Sequence, residues 1–227
     1  MNNSLRHLGI IPDGNRRWAS QNQLSNFDAY LRSFNNIIDI IEYSFKTYSE
    51  LTEISIYLLS FDNLNRSKKE IDDFLSIGIM FFESVFMTLF HKVDFQIRWI
   101  GLSNLETYLT KKGIEEKLKK FVSLLNDVEY KTKNNQNKLN LLIGYDPIIE
   151  LKNSILDGVF DENNLTINTK LDLIIRTGGN TRLSGFLPLQ SRYADFIIID
   201  IHFPEFTIQY LNQIIINYKA KKLNFGI

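Results

Sequence analysis

Short apolar runs take turns along this chain with longer stretches in which apolar residues recur every three or four positions. Residues 6–11 form an apolar run ending in Ile10 and Ile11, broken by Pro12-Asp13-Gly14, and 15–20 read as a helical start. From 28 to 48, Leu31, Phe34, Ile37, Ile38, Ile41 and Phe45 fall at helical steps and predict an amphipathic helix with one core face. Residues 53–59 predict a second strand running into a polar loop, Ser60 to Arg66. Ser67, with Glu70 three positions on, opens a helix predicted to reach 91. It carries Phe74, Phe81, Phe82, Phe86 and Phe90 among many aliphatic residues, and a helix so apolar all round is either fully buried or lines an apolar cavity. Residues 94–100 alternate and predict a third strand, 111–125 an amphipathic helix, 131–138 a solvated loop, and 139–145 a fourth strand ended by Asp146 before a helix opening at Pro147. A fifth strand is predicted at 171–175, a sixth at 196–201, and a closing helix with a basic last turn at 207–222.

This alternation predicts one α/β domain spanning 1–227, with a mainly parallel six-stranded sheet flanked by helices. Ligands of such sheets bind at the carboxyl ends of the strands. Three polar stretches fall there: 13–17, 62–66 and 176–184. No internal repeat or low-complexity segment interrupts the pattern.

Composition narrows the chemistry. The 26 basic and 26 acidic residues cancel, so no global field attracts nucleic acid or an anionic membrane, and any anion site must be local. The absence of cysteine removes disulfides, thiol nucleophiles and thiolate zinc sites. The polar first residues lead into an apolar run too short for a signal or spanning segment, so a cytoplasmic protein with no transmembrane segment is expected. His7, His91 and His202 lack metal-ligand spacing and are expected to be structural. Asp72-Asp73 has no third aspartate to complete an aspartate-rich metal motif, and the dipole at a helix start explains the pair. No P-loop or Gly-x-Gly-x-x-Gly fingerprint points to a nucleotide.

The strand-to-helix turn at 10–18 offers backbone N–H groups to an anion, and Asp13 can hold the divalent cation that a highly charged anion carries. A metal-diphosphate is the ligand it suggests. The stretch Arg176 to Ser184 packs two arginines, Gly178-Gly179 and three hydroxyls into one loop, as a second phosphate group would require. A plain surface loop with incidental arginines remains open for that stretch.

Three ordered motifs resemble the cis-prenyl diphosphate synthase (undecaprenyl diphosphate synthase) family. Ile11-Pro12-Asp13-Gly14-Asn15-Arg16-Arg17-Trp18-Ala19 is similar to the family's first signature, Met-Asp-Gly-Asn-Gly-Arg-Trp-Ala. Ser60-Phe61-Asp62-Asn63-Leu64-Asn65-Arg66 resembles its Ser-x-Glu-Asn-Trp-x-Arg loop. Arg176-Thr177-Gly178-Gly179 through Arg182-Leu183-Ser184, then Tyr193-Ala194-Asp195, resembles its last. The resemblance implies a Mg²⁺-dependent homodimeric prenyltransferase acting on allylic and homoallylic isoprenoid diphosphates. Asp13 would hold Mg²⁺. Gly14, Asn15, Arg16, Arg17 and Trp18, with Asn26 and Tyr30, would form the allylic diphosphate site. Asn63 and Arg66 would act near the reacting carbons. Arg176, Arg182 and Ser184 would bind the second diphosphate, and Asp195 stands where the family has a glutamate supporting the metal. The helices on either side of the second strand would wall the hydrocarbon tunnel.

The departures are as specific. Arg16 replaces a glycine, Asn26 and Tyr30 replace an arginine and a histidine, Asp62-Asn63-Leu64 replaces Glu-Asn-Trp, and the arginine-rich tail is here Lys221-Lys222-Leu223-Asn224-Phe225-Gly226. Pro-Asp-Gly, Arg-Arg-Trp, Tyr30 and Phe186-Leu187-Pro188-Leu189 are similar to the cyclolavandulyl and lavandulyl diphosphate synthase branch, which implies a short product from dimethylallyl or isopentenyl diphosphate, with branched or cyclised linkage among the outcomes. Ordinary cis chain elongation and a terpene synthase-like fate of the cation are the alternatives. Asp13, Arg17, Arg176, Arg182 and Ser184 speak against a non-catalytic subunit.

Overall fold

The computed structural model describes residues 3–86, 94–101, 113–156 and 158–221. In chain order the elements are β1 (His7–Ile11), α1 (Asn15–Gln21), α2 (Asn26–Thr47), β2 (Glu53–Ser60), α3 (Lys68–Met80), β3 (Phe95–Gly101), α4 (Glu115–Thr132), β4 (Asn137–Tyr145), α5 (Pro147–Asn153), β5 (Ile155–Leu156), β6 (Val159–Phe160), β7 (Leu173–Arg176), β8 (Asp195–Ile198) and α6 (Ile208–Ala220). Six of the strands form one sheet, all parallel, in the order β3-β4-β2-β1-β7-β8. β1 is buried along its whole length because β2 and β7 flank it and both its faces are covered.

The period of two along each strand divides the core. Leu8 and Ile10 of β1, Leu173 and Ile175 of β7, and Leu139, Leu141 and Ile143 of β4 join a large cluster with α2, α3, α4 and α6. Ile11, Ile174 and Leu142 point the other way, into a smaller cluster with Tyr57, Tyr145, Phe186 and Leu187. The helices over the larger cluster start where the sequence provides caps: Ser25 with Asp28 closes a capping box at α2, and Ser67 with Glu70 does the same at α3.

Several boundaries differ from the pattern-based expectation. The helix expected to reach 91 is α-helical only to Met80 and continues as one wider π-type turn, Phe81–Phe86. The side chain of Phe86, and all of Phe90 and His91, lie outside the described residues. α4 extends to Thr132, whose hydroxyl turns back to the Val128 carbonyl and accepts the Ile97 N–H, so the solvated loop shrinks to 133–136. The small antiparallel pair β5–β6 is additional. Asp72 and Asp73 sit in the second turn of α3, beyond the help of the dipole, and pair with Lys117 and Lys69 instead.

At the amino end of the sheet, far from the loops of interest, His7 is buried in a polar net. Its Nε2 lies 2.8 Å from the Ser55 hydroxyl and its Nδ1 3.2 Å from Thr169 Oγ1, while Glu53 accepts from Asn140 and Thr169. Burial pushes the imidazole below its usual 6.5, against the pull of Glu53 and Asp172. Unfolding therefore takes up a proton at this residue once the pH drops below about 6.5, so stability is complete above that value and declines as pH falls towards the depressed native value. Urea midpoints at pH 8 and pH 5.5 are expected to differ by more in the native chain than in His7→Gln, with the histidine contributing up to about 1.4 kcal/mol per pH unit in that window.

Candidate active site

The carboxyl ends of β1, β2 and β7 bring together the three polar stretches. Pro12 stops β1, and Gly14 caps α1 at φ 100°, where a side chain on its α-carbon would run into Nδ1 of His202. The turn is fixed from the far end of the chain. Asp13 N–H donates to Thr177 Oγ1 at 2.9 Å, Thr177 Oγ1 donates back to the Asp13 carbonyl at 2.7 Å, and the Phe203 N–H reaches the same carbonyl at 3.1 Å.

Asp13 is the hub. Its Oδ2 accepts Nη2 of Arg176 and Nδ2 of Asn180, each at 2.7 Å, and its Oδ1 accepts the Gly14 N–H at 2.6 Å with Arg17 Nη2 at 3.5 Å. Partial burial raises the carboxyl's pKa, but the bonds from Arg176, Asn180 and Gly14 outweigh it and hold the group below its usual value, ionised at neutral pH. Arg176 is itself buried, and its Nη1 donates to Ser184 Oγ at 2.9 Å and to the Arg182 carbonyl. Ser184 takes a left-handed φ of 52° to meet it, a strained backbone of the kind that collects at ligand sites. The side chain of Arg182 is exposed on the rim.

Gly178 and Gly179 serve differently from the sequence expectation. Their N–H groups donate to the carbonyls of Ile201 and Ile199, so they are not donors for a phosphate. Their role is close approach: at φ 80°, a side chain on Gly178 would sit 2.6 Å from Arg17 Nη2 and 3.2 Å from the Asp13 backbone.

On the β2 side, Arg66 is partly buried, which lowers its pKa, and its Nη1 lies 3.5 Å from the Tyr30 hydroxyl. Arg16 and Asp13 are near enough to act on its charge. Burial raises the Tyr30 hydroxyl's pKa and keeps it a neutral donor. Arg16 pairs with Glu70 at 2.7 Å. Asn63 is half-buried in a short helical turn, Asp62–Asn65, whose backbone is tied to Ser60. Asn15 spends its side chain on the Pro12 carbonyl and the Ser33 hydroxyl, Trp18 packs into a small cluster with Ala19 and Ala29, and Asn26 is the first residue of α2. Of these three, Asn15 is the one bonded to the turn.

Asp195 is the residue the structure does not bring in. It opens β8 in register with Leu173, whereas Arg176 and Ile11 align with Ile198, three residues further on. The intervening strand is about 10 Å long. Asp195 instead holds Lys221 at 2.8 Å. The acid at the correct end is Asp200, whose Oδ1 packs on Gly179. Asn180, Thr177 and His202 border the turn and Asp200 packs on Gly179, and none of the four is assigned a site role from the sequence. Asn180 and Thr177 stand inside the 176–184 motif, and Asp200 and His202 directly follow the last strand.

From Tyr30 an aromatic file leads inward. Tyr30 meets Phe74 edge-on at 6.5 Å, Phe74 lies 6.4 Å from Phe34, and Phe34 lies 5.1 Å from Phe81. It opens on an apolar cleft between α2 and the π-type turn, lined by Phe34, Ile37, Ile41, Leu58, Phe81 and Phe82 among others. Along α2 the described lining runs from Phe34 to Glu42, about 12 Å. Packed rings thus connect the polar cluster to the apolar cleft.

The family profile described as "Putative undecaprenyl diphosphate synthase" matches residues 11–226. The chain belongs to the undecaprenyl diphosphate synthase family. It is 30% identical over 243 residues to the tritrans,polycis-undecaprenyl-diphosphate synthase (GGDP specific) of Sulfolobus acidocaldarius, covering 97% of this chain and 87% of that one. It is 26% identical over 235 residues to an isoprenyl transferase of Rickettsia prowazekii, covering 98% of each. Among solved structures, lavandulyl diphosphate synthase from Lavandula x intermedia in complex with dimethylallyl diphosphate matches with a TM-score of 0.83 at 21% identity over 99% of both chains. A probable undecaprenyl diphosphate synthase from Campylobacter jejuni matches with a TM-score of 0.75 at 24% identity, over 99% of this chain and all of that one. At these identities the two structures establish the fold. Membership makes this undecaprenyl diphosphate synthase relative an enzyme, a prenyltransferase of isoprenoid biosynthesis. Among the described residues no helix is long and apolar enough to cross a membrane.

Proposed function

We propose that the enzyme ionises a short allylic diphosphate, dimethylallyl diphosphate, at the Asp13 turn and couples the cation to a second short isoprenoid diphosphate, dimethylallyl or isopentenyl, giving a short product of lavandulyl type. The observation that carries this reading is the Asp13–Arg176–Asn180 cluster, connected through the packed rings of Tyr30, Phe74 and Phe34 to an apolar cleft whose described lining spans about 12 Å of α2.

Asp13 offers a single ionised carboxylate of which three lone-pair positions are taken, and among the described residues no three acidic or histidine groups gather into a metal cage. This donor set fits Mg²⁺ arriving on a diphosphate, since that ion takes one or two carboxylates and completes its shell with phosphate oxygens and water. When bound there, the ion would neutralise charge developing on the leaving diphosphate. The chain's own part is electrostatic: Arg17, Arg16 and Arg66 face the negative charge of the leaving group, and Arg176, Arg182 and Ser184 take the second diphosphate. Asn63 orients the reacting end, and the aromatic file excludes water from the cation. Asp195 is left out of this metal site. The reading includes a homodimer in the cytoplasm: β8 is an edge strand whose Phe196, Ile197 and Ile198 are only half-buried, an edge that a second copy would cover.

Chain elongation in cis, with isopentenyl diphosphate added repeatedly, is favoured by the relatives named as undecaprenyl diphosphate synthases, that of Sulfolobus acidocaldarius among them. Incubation with Mg²⁺ and dimethylallyl diphosphate, alone and paired with isopentenyl diphosphate, decides between them. The expected result is a short diphosphate-bearing product. A long linear polyprenyl product would support elongation, and inorganic diphosphate released without a diphosphate-bearing product would indicate terpene synthase-like chemistry.

A further inference from the structure

The ion pair between Arg16 and Glu70 joins the first polar stretch to the start of α3, which follows the second. Glu70 is the third residue of α3, and its carboxylate is oriented before it meets Arg16. Oε2 accepts the N–H and hydroxyl of Ser67 in the capping box, at 3.3 and 2.9 Å, while Oε1 takes Nη1 of Arg16 at 2.7 Å. Arg66 feels both, the Arg16 guanidinium opposing its charge and the Glu70 carboxylate supporting it. A carboxylate on the rim of an anion site repels the anion, so its presence there asks for a physical reason.

We propose that Glu70 is a positioning residue for diphosphate binding: it holds the Arg16 guanidinium against the first turn of α3, so that Arg16 and Arg66 meet the substrate's diphosphate as a pair. This rests on the reading of the Asp13 turn as a diphosphate site. The Arg16 side chain is 52% exposed and long, and without a tether its many rotamers would have to be ordered at the moment of binding. The capping box removes that freedom in advance, because the Glu70 side chain that fixes Arg16 is itself fixed by Ser67 and only 19% exposed. The helix start of α3 and the guanidinium of α1 thus form one rigid unit. It matters most in this chain because position 16 carries an arginine in place of the glycine of the related signature.

The sign of the effect separates this proposal from simple electrostatics. By charge alone, removing Glu70 tightens an anion. By positioning, it loosens one. Glu70→Gln keeps an acceptor for the capping box, so its melting temperature is expected to stay near that of the native chain. Calorimetric titration with Mg²⁺ and inorganic diphosphate, and steady-state kinetics with dimethylallyl diphosphate, are to be run on Glu70→Gln, Arg16→Met and the double variant. The expected result is a rise in Kd and KM of about five- to tenfold in Glu70→Gln, with kcat changed by less than about twofold, and no further rise when Glu70→Gln is added to Arg16→Met. Unchanged or tighter binding in Glu70→Gln, or equal weakening with and without Arg16, overturns the proposal. Failure of the native chain to bind any diphosphate overturns the underlying reading and the proposal with it, a result distinct from native binding beside a silent Glu70→Gln.

Discussion

Replacing Asp13 by asparagine is expected to lower the rate of allylic diphosphate turnover by about a thousandfold, the scale seen when one preorganised charge-stabilising group is removed from an active site. The carboxylate has two tasks, and they separate experimentally. It neutralises the buried Arg176 guanidinium, and under the proposed function it takes the metal that a diphosphate carries. Asparagine keeps one acceptor for Arg176 or Asn180 but loses the charge. Because the Asp13 side chain is about a third exposed, solvent softens the loss, and the stability change is expected to be about 1–2 kcal/mol rather than the 3–5 of a fully buried broken pair. For a chain of this size that is a drop of several degrees in melting temperature. Rates measured below the melting range, with a thermal melt on the same sample, make the test. A rate within tenfold of the native chain would remove Asp13 from the chemistry.

The second large effect is on product length. Phe81→Ala removes the ring that faces Phe34 across the cleft and is expected to shift the product distribution towards longer chains while leaving diphosphate binding intact. Phe81 is only partly buried, so the truncation is expected to cost less than the 3–5 kcal/mol typical of a core phenylalanine. Extraction and chromatography of products from labelled isopentenyl diphosphate is the measurement. An unchanged distribution would mean that the hydrocarbon does not enter between α2 and the π-type turn.

Much of the architecture was legible because hydrophobic period maps directly onto burial. Leu8, Ile10 and Ile11 could only be a strand buried on both faces, and Phe34, Ile37 and Ile41 only a helix stripe. The 155–160 hairpin was invisible because two-residue strands carry no period, and its Ile155, Val159 and Phe160 face solvent. The end of α3 was hidden for the opposite reason: residues 74–90 are apolar in every direction, so no periodic signal marks the change of winding at Phe81. Among the site residues, Asp13 and Arg66 lie on strand-end loops and Arg176 closes β7, all at places that the pattern itself locates. Asp195 was placed by resemblance, and the predicted strand at 196–201 sets it at the strand's start, where it lies away from the Asp13 turn of its own chain. Asp200, two residues past the end of β8, carries the same charge beside Gly179. Gly178-Gly179 reads equally as a phosphate loop and as a tight packing turn, and only the hydrogen bonds to Ile199 and Ile201 show the second use.

The central position of β1 has a consequence for how the protein comes to exist. The bond between Asp13 and Arg176 spans 163 residues, and the Asp13 carbonyl is held by Phe203, later still. On a growing chain, β1 can pair with β2 early, but its other edge waits for β7, and the carboxylate waits with it. Contacts of such separation close slowly. The turn that is made nearly first is finished nearly last, so a nascent or partly folded chain lacks the assembled Asp13–Arg176 cluster, and under the proposed function the ability to hold substrate doubles as a report that the whole sheet has formed.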